Sequence, residues 1–434
     1  MTTLDTLRPQ LAGAVHLPGD DTFDERRRPW NLAVDQPILA VAEPATATDV
    51  AALVQDARDS GRTLTLQASG HGASGGTEGT ILVRTHHLDE IDVRPAERLV
   101  RVGAGARWGD VQAAVARHGL TGLPGSSPVV TVAGYTLGGG LSWFGRAHGW
   151  AADAVVALDV VGADGEARRV TADSDPDLFW ALRGGGGDFA AVTSLELRLH
   201  PAPEVFGGRM LWPADRAPDV LAAFREVVAT APDELTVWFE LLHFPGSDPM
   251  VAVDSVHLGG EDEARRLLEP LDAITGRFSD TRRPLRVDEL GAITNEPTDP
   301  GAGCSRAELL TDLDDAVAQV LLAGPHDPLL AVQVRHLGGA LARPSDSPHG
   351  ALAEPFALYL FGVPFTPEVG EAVRARQAAI VAALGDRVSG RKPFTFLAPE
   401  ESAAAAFGPE ALARLRAIKA ERDPHGVFRS SYPV

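Results

Sequence analysis

Residues 125–140 read Gly125-Ser-Ser-Pro-Val-Val-Thr-Val-Ala-Gly-Tyr-Thr-Leu-Gly-Gly-Gly140. Glycine tolerates positive φ and lets another group approach the backbone closely. Exposed N–H groups in such loops form concavities that hold a pyrophosphate. Two more stretches share this character: Ala68-Ser-Gly-His-Gly-Ala-Ser-Gly-Gly76, and the four glycines Gly184 to Gly187. Any one of them taken alone reads more readily as a tight turn. Three of them, set between short strand-like runs, point to a bound dinucleotide.

The surrounding pattern is α+β. Thr48 reads as an N-cap, with Asp49 in the first turn. Val50, Leu53, Val54 and Ala57 follow at helical spacing, and Gly61 ends the run. Thr63 to Leu66 is strand-like, and Trp108 to His118 fits a helix closed by Gly119. Gly103-Ala-Gly105 resembles the opening of a dinucleotide fingerprint, but Trp108 stands where its third glycine belongs, so it reads as a strand-to-helix turn. Val155–Val161 and Glu166–Val170 are strands around the turn Ala163-Asp-Gly165. Asp177–Leu182 is helical. Leu195, Leu197 and Leu199 alternate with polar residues, the pattern of a half-buried strand. Pro201 and Pro203 mark a boundary, giving a first domain over 1–204.

Residues 205–390 form a second domain. Strand-like runs (234–242, 329–336, 356–363) mix with Ala-rich helices (217–230, 261–271, 368–384), which suits a mainly antiparallel sheet covered by helices. Residues 279–300 are loop-rich. Residues 391–434 carry a helix over 409–421 with Pro409 in its first turn, and are expected to return to the first domain.

The chain has 434 residues, 59 acidic against 39 basic, for a net charge of −20. That balance argues against nucleic acid or an anionic membrane as partner. Cys304 is the single cysteine, so no intrachain disulfide forms. No basic-then-apolar leader opens the chain and no apolar run nears the ~20 residues of a membrane span; a cytoplasmic location is the default expectation. Nothing matches a G-x-x-x-x-G-K-[ST] loop, H-E-x-x-H or C-x-x-C, so no metal is expected. His86-His87 reads as a solvated pair.

Taken together, the glycine-rich stretches resemble the FAD-linked oxidases of the vanillyl-alcohol-oxidase fold, in the berberine-bridge-enzyme-like branch, with 6-hydroxynicotine oxidase-type bacterial enzymes as the nearest kin. Four motifs carry the likeness in order: Ser69-Gly-His-Gly72, the 125–140 stretch, Leu178-Phe-Trp-Ala-Leu-Arg-Gly-Gly-Gly-Gly-Asp-Phe-Ala-Ala-Val-Thr193, and Asp423-Pro-His-Gly-Val-Phe-Arg429. The resemblance implies a two-part FAD-binding domain of the PCMH type beside an α+β substrate domain. It implies that His71 bonds the 8α-methyl of the flavin. Some members add a cysteine link before a proline; here Ser127 precedes Pro128, so a single link is expected. Ala68, Ser69, Gly70 and Gly72 would flank it. Val130, Thr131, Val132, Gly134 and Tyr135 would meet the pyrophosphate and ribityl chain, Gly138, Gly139 and Leu141 the ring or pyrophosphate, and Ala191 and Val192 the adenine half.

Several positions depart from the family pattern: Gln67, Asp188 in place of asparagine, Pro393-Phe-Thr-Phe-Leu397 in place of Tyr-x-Asn-Phe-Leu, and Ser431-Tyr-Pro433 in place of Asn-x-Asn. The expected chemistry is hydride transfer from a small organic substrate to the flavin, with a proton acceptor from the protein and O2 as electron acceptor, giving hydrogen peroxide. A dehydrogenase using another acceptor and a non-turnover flavin carrier are the alternatives. Candidate acceptors are Tyr432, Tyr359 and His336, each with core packing as the competing role. Glu240, two residues from Trp238 on a strand, could face either pocket or solvent. Substrate and oligomeric state are left open.

Overall fold

The computed structural model describes residues 8–434. Its first sheet joins β1 (Ala14–His16), β2 (Ala40–Glu43), β3 (Thr63–Leu66) and β4 (Thr80–Val83) in the order β1-β2-β4-β3. β4 runs parallel to both β2 and β3. Helix α1 (Ala47–Ser60) crosses from β2 to β3 and lays Val50, Leu53, Val54 and Ala57 on the sheet. Its N-cap is Thr46, two residues before the expected Thr48. The Thr46 hydroxyl takes the Asp49 N–H at 3.1 Å, and the Asp49 carboxylate collects the N–H groups of Ala12, Gly13 and Ala45. A buried carboxylate satisfied by three backbone donors fixes the helix start there. Gly61, in the left-handed region at φ 69°, ends it.

The second sheet joins β5 (Ile91–Arg94), β6 (Leu99–Gly103), β7 (Val155–Val161), β8 (Ala167–Val170) and β9 (Ala191–Arg198) in the order β5-β6-β9-β7-β8, all antiparallel. Leu195 and Leu197 enter the core with helices α2 (Trp108–Ala116), α3 (Val132–Leu137) and α4 (Pro176–Leu182). β9 is not half-exposed, however: Glu196 is buried too. It sits on the central strand and pairs with Arg94 at 3.2 Å and Arg169 at 3.1 Å, while Arg101 pairs with Asp159 at 2.8 Å beside it. The polar face is covered by its own ladder of charges, which alternation alone does not reveal.

The third sheet is eight-stranded and antiparallel. Its long strands are β10 (Phe206–Pro213), β11 (Leu235–Leu242), β12 (Met250–His257), β13 (Cys304–Leu310), β14 (Ala331–His336) and β15 (Phe356–Gly362), in the order β10-β12-β11-β14-β15-β13. Helices α5 (Ala217–Thr230), α6 (Asp315–Leu322) and α7 (Pro367–Leu384) cover one face. Val237, Phe239, Val332, Val334, Leu358 and Leu360 point into that apolar layer. The helical run expected over 261–271 is two pieces, Glu261–Leu267 and Glu269–Asp272, because Pro270 cannot continue a helix.

Helix α8 (Pro409–Arg422) packs its buried Leu412, Leu415 and Ile418 into the core of the second sheet. The tail behind it lies along β3, with Leu64 N–H on Val427 O and Arg429 N–H on Leu64 O. Asp423 holds this turn by accepting from the N–H groups of Val427 and Phe428 at 2.8 Å. Asp188 accepts from Ser430 N–H at 2.6 Å and Val434 N–H at 3.0 Å, so this departure from the family pattern has a mechanical use.

Candidate functional site

His71 lies in the loop after β3. Its ring stacks on Trp30, centroids 4.3 Å apart and planes 15° from parallel, and its Nδ1 shares a 2.8 Å hydrogen bond with Ser69 Oγ. Gly70, at φ 84°, presses against Pro29, where a Cβ would fall 2.7 Å from the Pro29 side chain. This fixes the loop that carries the ring. Burial and the nearby Arg107 guanidinium push its pKa down to about 4, so the imidazole is neutral at physiological pH. Nε2 is buried without a partner. Gln67 makes a buried reciprocal amide pair with Gln36 and takes Arg84 Nη1 at 2.8 Å, buttressing the loop base.

Arg107, whose charge acts on His71, forms an isolated bridge with Thr131 of the 125–140 stretch. Trp108 meets Tyr135 edge-on at 5.8 Å. The glycines here are obligatory. A Cβ on Gly138 would meet Thr395 Cγ2 at 2.7 Å; on Gly139, at φ 99°, it would meet His349 Nε2 at 2.5 Å; on Gly140, Tyr135 Cε1 at 2.5 Å. His349 is buried between this stretch and Gly184, bonds Gly138 O at 3.0 Å and stacks on Trp150 at 4.5 Å. It was not singled out in the sequence, because no local pattern links residue 349 to residue 138.

Buried polar atoms normally have hydrogen-bond partners. Here Ser127 Oγ, Tyr135 Oη, Thr136 Oγ1, Thr395 Oγ1 and His71 Nε2 have none. All five lie on the glycine-rich stretches or against them. A polar ligand that threads these loops satisfies such atoms, so the residues present fit a dinucleotide. Val132 and Leu141 are buried and Val130 half-buried, whereas Gly134 is exposed. The Ala191 and Val192 side chains are committed to the cores on either side of β9, which leaves only their backbone to face a nucleotide.

The second wall is the uncovered face of the third sheet. Period-two alternation turns Trp238 and Glu240 on β11, Gln333 and Arg335 on β14, and Tyr359 on β15 away from the helices. Register sets Trp238 beside Arg335 and Gln333 between Glu240 and Tyr359. Trp143, from the segment after the 125–140 stretch, stacks on Trp238 at 3.6 Å and closes the junction. Arg335 lies over Trp238 at 4.0 Å, Phe396 at 5.1 Å and Tyr359 at 5.5 Å. Its charge also reaches Tyr135, whose phenol burial drives up, Arg335 and Ser142 opposing.

Glu240 faces this junction, not solvent. It accepts from Arg209 Nη2 at 3.1 Å and from Gln333 Nε2, and Arg209 also binds Asp254 through two 2.7 Å bonds. Burial, then the Asp254 charge, raises the Glu240 carboxyl well above its usual range.

The three candidate proton acceptors separate. Tyr432 is buried and donates to Leu397 O at 2.6 Å, with its phenol pushed up chiefly by burial; it clamps the tail. His336 points to the helix-covered face beside Phe356, at 5.8 Å, and meets Arg146 Nη1 at 2.9 Å. Burial, then Arg146, pushes it down to about 3. Arg146 itself ties the two halves together by donating to Leu235 O, Ala231 O and Pro232 O. Tyr359 alone stands on the junction face; burial raises its phenol while Ser305 and Arg335 pull it back. The pair His86-His87 is not simply solvated: His86 is half-buried and the rings lie 4.1 Å apart. Their nitrogens come within ligand range of Glu43, whose carboxylate is also engaged by His16 at 3.3 Å and the Arg26 guanidinium at 3.7 Å.

Among the described residues no helix is long and apolar enough to cross a membrane. A family model described as an FAD binding domain matches residues 38–171. The chain is 29% identical to (R)-6-hydroxynicotine oxidase of Paenarthrobacter nicotinovorans, over 98% of this chain and 97% of that protein. In fold it superposes on Physcomitrella patens BBE-like 1 with a TM-score of 0.87 at 18% identity, covering 100% and 99% of the two chains. It superposes on an Acremonium strictum glucooligosaccharide oxidase, whose structure is described as revealing a novel flavinylation, with a TM-score of 0.85 at 20% identity, covering 100% and 99%. FAD is thus the cofactor, held by an FAD binding domain that includes residues 38–171, and the chain has the fold of the berberine-bridge-enzyme-like FAD oxidases.

Proposed function

We propose that this protein is an oxidase carrying FAD on a single covalent link to His71, acting on a small organic substrate in the junction between the glycine-rich stretches and the third sheet. The single observation behind it is the state of His71: neutral, clamped by Trp30 and Ser69, with one ring nitrogen buried and unpaired. Bound FAD would supply the chemistry of hydride acceptance from a substrate C–H bond, with dioxygen as the electron acceptor and hydrogen peroxide as its product.

Around it the chain's residues divide the work. Ser69 and Trp30 fix the ring that bonds the 8α-methyl. Ser127, where a second cysteine link would stand, offers only a hydroxyl. The loops around Val130–Gly134 and Gly138–Gly140 would hold the pyrophosphate and ring. Tyr359 accepts the substrate O–H or N–H proton, with Ser305 and Arg335 keeping the phenol below where burial alone would set it. Trp143 and Trp238 keep water from the junction. The test is a panel of alcohols, sugars, amines and acids, scored by anaerobic bleaching of the flavin and by peroxide on admitting air. Bleaching with stoichiometric peroxide supports the oxidase; bleaching that air does not reverse assigns a dehydrogenase.

A further inference from the structure

Arg335 is the cation of the junction that has no anion. Its Nε donates to Gln333 Oε1, and its two Nη nitrogens have no hydrogen-bond or ion-pair partner among the described residues. The neighbouring carboxylates are otherwise engaged. Asp254 is held by both sides of the Arg209 fork, and Glu240 by Arg209 and Gln333. Glu296 contributes at a distance from an exposed loop, outside ion-pair range. Gln333 gives its N–H to Glu240 and its carbonyl to Arg335, so the plane of the guanidinium is set and its open fork is presented rather than left to swing. Trp238, Phe396 and Tyr359 wall the group within 4.0 to 5.5 Å. A desolvated, oriented guanidinium binds a carboxylate through two parallel N–H donors, which an ammonium cannot imitate.

We infer that the substrate of this site is a carboxylic acid, its carboxylate seated on the Arg335 fork and its apolar or aromatic body lying against Tyr359 and Phe396. This rests on the function proposed above and names its substrate class.

The test uses the flavin-loaded protein and the perturbation of its visible absorption. Benzoate and phenylacetate are titrated beside benzamide and phenylacetamide, which keep the shape and drop the charge. Wild type is expected to bind at least one acid about tenfold or more tightly than its amide. Arg335→Gln should abolish that preference with the flavin retained, and Arg335→Lys should restore only part of it. Equal binding of acids and amides by the wild type, no binding of either acid, or an acid preference that survives in Arg335→Gln overturns the inference. A purified protein that takes up no flavin defeats the underlying oxidase reading instead, so the two failures are distinct.

Discussion

Trp30 and His71 lie face to face, 4.3 Å between ring centroids and 15° from parallel, while Ser69 holds the opposite edge of the imidazole at Nδ1. Aromatic pairs of this kind contribute about 0.5–1.5 kcal/mol beyond area burial. Trp30→Ala should leave FAD binding intact but lower the fraction of flavin that resists acid precipitation, and Ser69→Ala should slow attachment in a time course of apoprotein with FAD. Attachment at the wild-type rate in both variants would show that ring orientation is not limiting.

Gly139→Ala tests the crossing of the two glycine-rich stretches. Its φ of 99° and the His349 Nε2 atom 2.5 Å from a would-be Cβ leave no room for a side chain. Backbone strain alone costs about 1–3 kcal/mol. The variant should be purified with little flavin and a lowered melting temperature, whereas Gly72→Ala, which meets nothing within 4 Å, should keep its flavin.

Tyr359→Phe removes the phenol and keeps the ring that packs on Phe396 at 5.7 Å. General-base groups are worth about 10²–10⁴-fold in rate. A fall of that size in the anaerobic rate of flavin reduction, with flavin content and melting temperature unchanged, is the expected result. Tyr432→Phe breaks the bond to Leu397 O and should instead cost stability, with reduction rate per bound flavin nearly preserved.

Buried histidines set the acid limb of stability. His71, His200 and His349 are pushed down to about 4 and His336 to about 3, in each case first by burial. An unfolded histidine protonates near pH 6.5. Between that value and about 4 the unfolded chain binds more protons than the native one, so stability is complete above about pH 6.5 and is lost as pH falls. Urea midpoints measured across this window should drop, and His349→Gln should drop less steeply than wild type.

Much of this was readable along the chain because the signals were local. Gly61 ends a helix where it stands, whereas the helix expected to run to His118 stops at Ala116, before Gly119; Val332 and Val334 alternate with Gln333 and Arg335, and the loop histidine sits among glycines. What escaped depends on residues far apart in sequence. Thr46 outcompetes Thr48 because Asp49 is needed by Ala12 and Gly13. Glu196 is buried by arginines from other strands. Arg335 gains meaning only once the strand order places Trp238 opposite it and Tyr359 diagonally across on the other neighbouring strand, and His336, one residue on, is turned to the opposite face.

The most direct measurement is acid precipitation of the purified yellow protein, with flavin absorption read in pellet and supernatant for wild type and His71→Ala. The account predicts flavin in the wild-type pellet and in the variant's supernatant. Flavin released from the wild type, or retained by His71→Ala, would contradict it.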